Sequence, residues 1–168
     1  MAITLDGNNI TTGGVINSGT AQASTSGTAI TFTGIPSYAK RVTVMFSGVS
    51  TSGTSNLLIQ LGSGSATTSG YNAYGMNFGS GSGSGTAYTT GFGIRIASAS
   101  DLNSGLMTIA NITGNTWVAQ GNFGNQANAT GYFSAGGISL SGTLDRVIIT
   151  TVNGTDTFDA GSINILYE

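Results

Sequence analysis

The sequence predicts an all-β fold, a jelly-roll-like two-sheet antiparallel β-sandwich of about eight to ten short strands. Three observations carry that prediction. Apolar residues recur with a period of two in run after run, as in Val42, Val44 and Phe46 against Arg41, Thr43 and Met45. Turn chemistry separates the runs, as in Gly34-Ile35-Pro36-Ser37 and Asn153-Gly154-Thr155-Asp156. No window places apolar residues at helical spacing, and abundant glycine and threonine oppose helices throughout.

The chain divides into an N-terminal arm or stem, residues 1–26, and a β-sandwich domain, residues 27–168. The arm holds only a short β-like run, Ile3 and Leu5, then scattered Ile10, Val15 and Ile16. That is too little for a core, so the arm is expected to order by packing on something else or to fray. The first clear strand runs from about Thr28 to Thr33, with Ile30 and Phe32 on one face, and Pro36 ends it. Strands follow over 40–49 and 56–61, the second with Leu57, Ile59 and Leu61 on its core face.

Residues 62–85 read as irregular. They hold Tyr71, Tyr74, Met76 and Phe78, then a Gly/Ser run over 79–85 that is a flexible loop by composition. That run lacks the lysine and following helix of a phosphate-binding loop. Alternation resumes over 86–97, with Tyr88, Phe92, Ile94 and Ile96 sharing a face. Strands over 106–112 and 116–123 flank the turn Thr113-Gly114-Asn115. A loop with Asn125, Gln126 and Asn128 precedes Tyr132 and Phe133, and 138–140 forms a further short run. The chain ends as two antiparallel strands around the Asn153–Asp156 turn. The final residue is expected in or next to the sheet, because an apolar terminal strand is held by pairing.

Composition narrows the function. The 168 residues include 28 glycines, yet 39% are hydrophobic, so the chain can bury a core. Only 6% are charged, against about 25% in typical soluble domains. A surface so poor in charge points to cover by an oligomer or larger particle, or to a coat of hydrated Ser, Thr and Asn. The cations Lys40, Arg41, Arg95 and Arg146 are too few and scattered to track phosphates, which argues against nucleic acid. No stretch approaches the ~20 apolar residues of a membrane helix, and no signal-peptide pattern is seen.

Catalytic chemistry is scarce. There is no histidine, which removes the commonest general base, and no cysteine, which removes disulfides, thiolates and Cys-ligated zinc. The single lysine, Lys40, reads as an exposed edge charge. Asp145, Asp156 and Asp159 form the only acidic cluster. Turn formation accounts for Asp156 and Asp159, ahead of a calcium site or a carboxylate pair, and Asp145-Arg146 can pair with neighbouring charges. The four Asn-x-Thr sequences, at Asn9, Asn111, Asn128 and Asn153, are expected by chance in so Asn- and Thr-rich a chain. No catalytic residue, metal ligand or cofactor is therefore expected.

Aromatic and amide side chains remain. Trp117, Tyr88, Phe92 and Phe123 alternate as core residues should. Tyr71, Tyr74, Tyr132, Phe133, Asn125 and Asn128 sit in less regular sequence. They are the candidates for a receptor or partner surface, where amphipathic rings and amides recognise sugars or protein patches.

Four blocks carry a resemblance: GIPSYAKRVTVMFSGVSTSGTS (34–55), TTGFGIRI (89–96), NTWVAQGNFG (115–124) and GTLDRVIITTVNGTDTFDAGSINILYE (142–168). Spanning roughly 34–168, they resemble a β-rich domain of bacteriophage and prophage virion proteins found at the distal end of tail fibres. The resemblance implies a virion structural protein, made in the host cytoplasm, that binds the host surface without catalysis. It implies a homotrimer, contacts with other virion proteins, and a host glycan or protein as receptor. The chain's shortness favours the alternative, a capsid decoration (cement) protein between capsomers, its arm packed on the shell. A polysaccharide depolymerase is disfavoured for want of a carboxylate pair.

Overall fold

The computed structural model describes residues 16–79, 83–96, 98–125 and 127–168. Among them every regular element is a strand, and no helix is long and apolar enough to cross a membrane. In chain order the strands are β1 (Asn17–Ser18), β2 (Gln22–Ala23), β3 (Ile30–Thr33), β4 (Arg41–Thr51), β5 (Leu57–Ser63), β6 (Ser65–Ala66) and β7 (Asn72–Phe78). They continue as β8 (Ser84–Tyr88), β9 (Phe92–Ile94), β10 (Asn103–Thr113), β11 (Thr116–Asn125), β12 (Thr130–Ser139), β13 (Arg146–Thr151) and β14 (Phe158–Tyr167).

The strands form two antiparallel sheets, consistent with a β-sandwich. The larger has the order β1-β14-β4-β10-β11-β12-β7-β8, with β2 also on β14. The smaller has the order β3-β13-β5-β6, with β9 also on β5. In the larger sheet β10, β11 and β12 are neighbours in both sequence and space, a three-strand meander. The core lies where the alternation predicts. Val42, Val44, Met107, Ile109, Ile163 and Ile165 from the larger sheet are buried with Leu57, Ile59, Leu61, Val147 and Ile149 from the smaller. Each such side chain contributes about 1.5–3 kcal/mol of burial. Phe46 and Phe123 meet at 5.2 Å between ring centroids, joining β4 to β11 across the inner face.

Several elements differ from the sequence expectation, each for a physical reason. The two terminal strands form but do not pair with each other. β13 pairs with β3 and β5, whereas β14 pairs with β4, β1 and β2. The turn between them is thus a crossing from sheet to sheet. Asn153 Oδ1 accepts the amides of Thr155 (3.0 Å) and Asp156 (3.2 Å), and Asp156 Oδ2 accepts the Ser55 amide at 3.0 Å. The turn chemistry was readable; the sheet each strand joins depends on partners far away in sequence. The end of the chain is paired. Glu168 exchanges backbone hydrogen bonds with Arg41, and the two side chains form an ion pair.

The stretch expected to be irregular contains β7, a seven-residue strand. Its pattern is inverted: small Ala73 and Gly75 face inward, and Tyr74, Met76 and Phe78 face outward. Gly75 is required there, because a Cβ would fall 2.4 Å from the Gly93 carbonyl oxygen. The single run expected over 86–97 is broken at residues 89–91, so that β8 and β9 lie in different sheets. The two short runs around Tyr132 and Ile138 fuse into β12.

Residues 1–15, with Ile3, Leu5, Asp6, Asn9, Ile10 and Val15, lie outside the described residues, as do 80–82 of the Gly/Ser run. The rest of the expected arm runs along the edge of the larger sheet. Asn17 and Ser18 pair with Tyr167 and Leu166, and Gln22 and Ala23 with Ile163 and Ser162. Ser24, fully buried, donates its hydroxyl to Ala160 O at 2.8 Å.

Candidate binding surface on the larger sheet

One end of the larger sheet is built around Asp101. The turn before β10 places its carboxylate at 1% exposure, where Oδ2 accepts the Ser98 amide at 3.2 Å. Two residues of the β11–β12 connection and β12 converge on it. Tyr132 donates its hydroxyl to Oδ2 at 2.9 Å, and Asn128 donates its side-chain amide to Oδ1. A buried carboxylate persists only when donors satisfy it, so these bonds tie the two loops together. Burial pushes the Tyr132 phenol above its ordinary value, and the Asp101 carboxylate acts in the same direction. The Asn125 amide opposes both, although its Nδ2 is buried and meets no partner at hydrogen-bond geometry. Directly across the ladder from Asn125, the buried Asn103 leaves its Oδ1 without a partner.

Beside this network lies an open hollow of about 770 Å³, lined among others by Ser47, Leu102, Ser104, Asn125, Ala129 and Thr130. Among the described residues its lining holds no charged side chain. The backbone is irregular here. β10 bulges against β4 between Asn103 and Gly105, which re-aims Ser104, whose Oγ accepts the Gly48 amide at 2.9 Å. Ala129, at φ 47°, is the one non-glycine left-handed residue among those described. Such a residue costs on the order of 1 kcal/mol and persists where its surroundings over-determine it. Leu102 stands 47% exposed at the hollow.

The hollow continues into the outer face of the larger sheet. The register sets a row across seven strands: Asn164, Met45, Leu106, Asn122, Phe133, Met76 and Gly85. The next row runs Leu166, Thr43, Thr108, Gln120, Ala135, Tyr74 and Ala87. Tyr74 (48%), Phe78 (49%), Leu106 (49%) and Val118 (40%) are exposed. Two of the rings lie along the sheet. A side chain at Gly85 would collide with the Tyr74 ring, and one at Gly131 with the Phe78 ring.

The residues expected to form a binding surface therefore separate into three groups. Tyr132, Asn125 and Asn128 gather around Asp101, but Tyr132 and Asn125 are buried supports of the hollow rather than exposed contacts. Only Asn128 is exposed at its rim. Tyr74 and Phe133 share the outer face, Phe133 half-buried. Tyr71 belongs to neither. It packs edge-to-face on Phe92 at 5.2 Å, and its oxygen accepts the Leu61 amide at 2.7 Å. Burial raises its pKa to about 12. Tyr71 precedes β7 and Tyr132 lies near the start of β12, where a ring can point inward as readily as outward.

Sequence reasoning passed over Asp101, Leu102, Leu106 and Val118. Apolar residues on both phases of one strand, as with Trp117 and Val118, were the available signal for the outer face. Gln126 lies outside the described residues. The acidic cluster does not converge. Asp145 pairs with its neighbour Arg146 at 2.8 Å, Asp156 closes its turn with Asn153, and Asp159 is exposed on β14. Among the described residues no three acidic, histidine or cysteine side chains are grouped to hold a metal. Lys40 reaches Asn111 Oδ1 at 3.3 Å. No family model, curated protein or solved structure matches this chain.

Proposed function

We propose that the chain is a structural protein of a bacteriophage particle, a tail fibre or its distal receptor-binding domain, acting on the host surface by non-enzymatic binding. The observation that carries this reading is the hollow beside Asp101, whose described lining offers hydroxyls, backbone and one leucine but no titratable side chain. Such a lining recognises shape and neutral polar groups and has nothing with which to move a proton. Loops held by a buried network suit recognition, because the scaffold fixes their geometry in advance. The resemblance of residues 34–168 to distal tail-fibre domains supplies the setting. Three copies on one fibre would multiply weak contacts by about 10²–10⁴ in avidity. The wide outer face of the larger sheet favours a second reading, a cement protein seated between capsomers.

Copy number separates the two. Quantitative mass spectrometry of purified particles is expected to give a few tens of copies or fewer, in multiples of a cyclic tail assembly. Copies on the order of hundreds would replace the fibre with the cement role, and absence from the particle would end both. Leu102→Asp is expected to abolish adsorption to host cells while leaving the fold and oligomeric state unchanged. Undiminished adsorption would remove the hollow from recognition.

A further inference from the structure

We infer that Asn153 is a self-modification site: Gly154 converts it to aspartate or isoaspartate, and the folded turn holds that reaction off. The site is no part of the hollow's lining, and its chemistry does not depend on what the chain binds. Asn153-Gly154 is the one Asn-Gly pair in the sequence. Glycine has no Cβ to hinder its own nitrogen, so asparagine cyclises more readily before glycine than before a bulkier residue. Asn153, Gly154 and Thr155 are all exposed, so water reaches them. The Gly154 nitrogen gives its proton to solvent base and attacks Asn153 Cγ. The N–Cγ bond forms, the Cγ–Nδ2 bond breaks, and Nδ2 takes up a proton from water and leaves as ammonia. Water then opens the cyclic imide. Attack at Cγ gives aspartate, and attack at the main-chain carbonyl gives isoaspartate, with the chain running through Cγ. Nothing is oxidised or reduced, and water is the only co-reactant.

In the folded chain each group that must move is held. Asn153 Oδ1 accepts the Thr151 hydroxyl at 2.8 Å as well as the amides of Thr155 and Asp156, and Nδ2 donates to Asp156 Oδ1 at 2.6 Å. The attacking Gly154 N–H donates to Thr151 O at 3.1 Å, and the Asn153 amide donates to Ser55 Oγ at 3.0 Å. Cyclisation swings the side chain away from these donors and strips Gly154 of the proton that Thr151 O accepts. Reaction therefore follows only from turns that have opened.

Once made, the change works against refolding. Aspartate at 153 has no N–H to offer Asp156 and sets a second negative charge against it. Isoaspartate adds a methylene to the main chain, which moves Thr155 and Asp156 off the positions where their amides meet Oδ1. Asp156 also holds the neighbouring loop, where it accepts the Ser55 amide at 3.0 Å and a Cβ on Gly53 would collide with its carboxylate. The crossing from the smaller sheet to the larger is thereby released. Each opening that reacts removes a chain from the folded pool one way, so Asn153 records the time the turn spends open.

The test incubates the full chain at mildly alkaline pH, in buffer and in enough urea to unfold it, and follows every asparagine by peptide mass spectrometry with separation of the aspartate and isoaspartate forms. Asn153 is expected to react first in urea, and at least about tenfold more slowly in the folded chain. Thr151→Val, which removes one bond to Oδ1 with little change of shape, should speed the reaction of the folded chain and leave the rate in urea unchanged. Because that threonine is buried and its loss can loosen the sheet around it, a measurement on the wild type accompanies it. Wild-type chain aged in urea and then refolded should contain a modified fraction that unfolds at lower urea than the unmodified fraction. Equal rates for Asn153 in the folded and unfolded chain overturn the inference, as does another asparagine that reacts first in urea. So does a folded-chain rate that Thr151→Val leaves unchanged, or a modified fraction as stable as the unmodified one.

Discussion

Leu58 and Leu106 both lie on the strand phase opposite their most deeply packed neighbours, Leu58 beside Leu57 and Ile59 in the smaller sheet and Leu106 beside Met107 in the larger. Leu58 is 2% exposed and Leu106 is 49% exposed. The smaller sheet closes its outer side with its own chain. The turn at 89–91 lies over Leu58 and Gln60, and Gln60 donates its side-chain amide to Thr90 O at 2.8 Å. The β5–β6 hairpin covers Gly62, where a Cβ would fall 2.2 Å from Ser65 O. Thr150 donates its hydroxyl to Thr28 O at 2.8 Å, tying down the far side. Among the described residues, Leu106 on β10 and Val118 on β11 stay exposed, without such cover. A chain with so few charges protects one face by folding turns across it and leaves the other exposed among its described residues. The difference between the two faces is made by connections.

The largest test of this contrast uses one substitution at two sites. Leu58→Ala is expected to cost about 2–5 kcal/mol, since it empties a packed position under the 89–91 turn. Leu106→Ala, measured where the chain is monomeric, is expected to cost less than about 0.5 kcal/mol. Urea unfolding of both variants checks the pair. Equal costs would mean that Leu106 is covered within its own chain, and the contrast would be lost.

Tyrosine ionisation sharpens the same contrast at slightly smaller scale. Tyr71 lies inside, while Tyr74, three residues on, lies on the bare face. Burial raises the folded pKa of Tyr71 to about 12, above the ordinary value of 10.0. A raised folded pKa means the unfolded chain releases its proton first. The associated stability is complete below about pH 10 and is lost as pH rises towards 12, to a total on the order of 2–3 kcal/mol. Stability measured from pH 9 upward should therefore fall less steeply in Tyr71→Phe than in the wild type. An unchanged slope would place the Tyr71 hydroxyl in contact with water.

These contrasts also mark what the sequence could reveal. Strands such as 41–51 and 116–125 were legible because Val42, Val44 and Phe46, and Trp117, Ala119 and Phe123, alternate against polar partners. β7 was hidden because its large residues face outward and its small ones inward, the reverse of the pattern that period-two reading seeks. Asp101 was hidden because burial of a carboxylate depends on donors supplied by Asn128 and Tyr132, which are brought to it by the meander. Local turn chemistry located the Asn153–Asp156 turn but not the change of sheet it makes. Alternation reports that a face exists; it does not report what lies over it.

The smallest expected effect tests whether the covered face is finished by its own chain. At the end of the smaller sheet, Asp145 accepts from Arg146 Nε at 2.8 Å and from the Gly64 amide at 3.0 Å. The Arg146 hydrogen bond holds the Asp145 carboxyl below its ordinary value, with slight burial opposing it and the Gly64 amide adding to it. A lowered folded pKa contributes stability above the unfolded value near 4 that disappears as pH falls through the folded one. The Asp145 side chain is 40% exposed, so water and salt screen the pair. Asp145→Asn at neutral pH should shift the urea midpoint by no more than the error of the measurement, and added salt should erase what remains. A large loss that persists in high salt would mean the pair is shielded from solvent. The smaller sheet's edge would then be covered as well, and the contrast between a covered face and a bare one would fail.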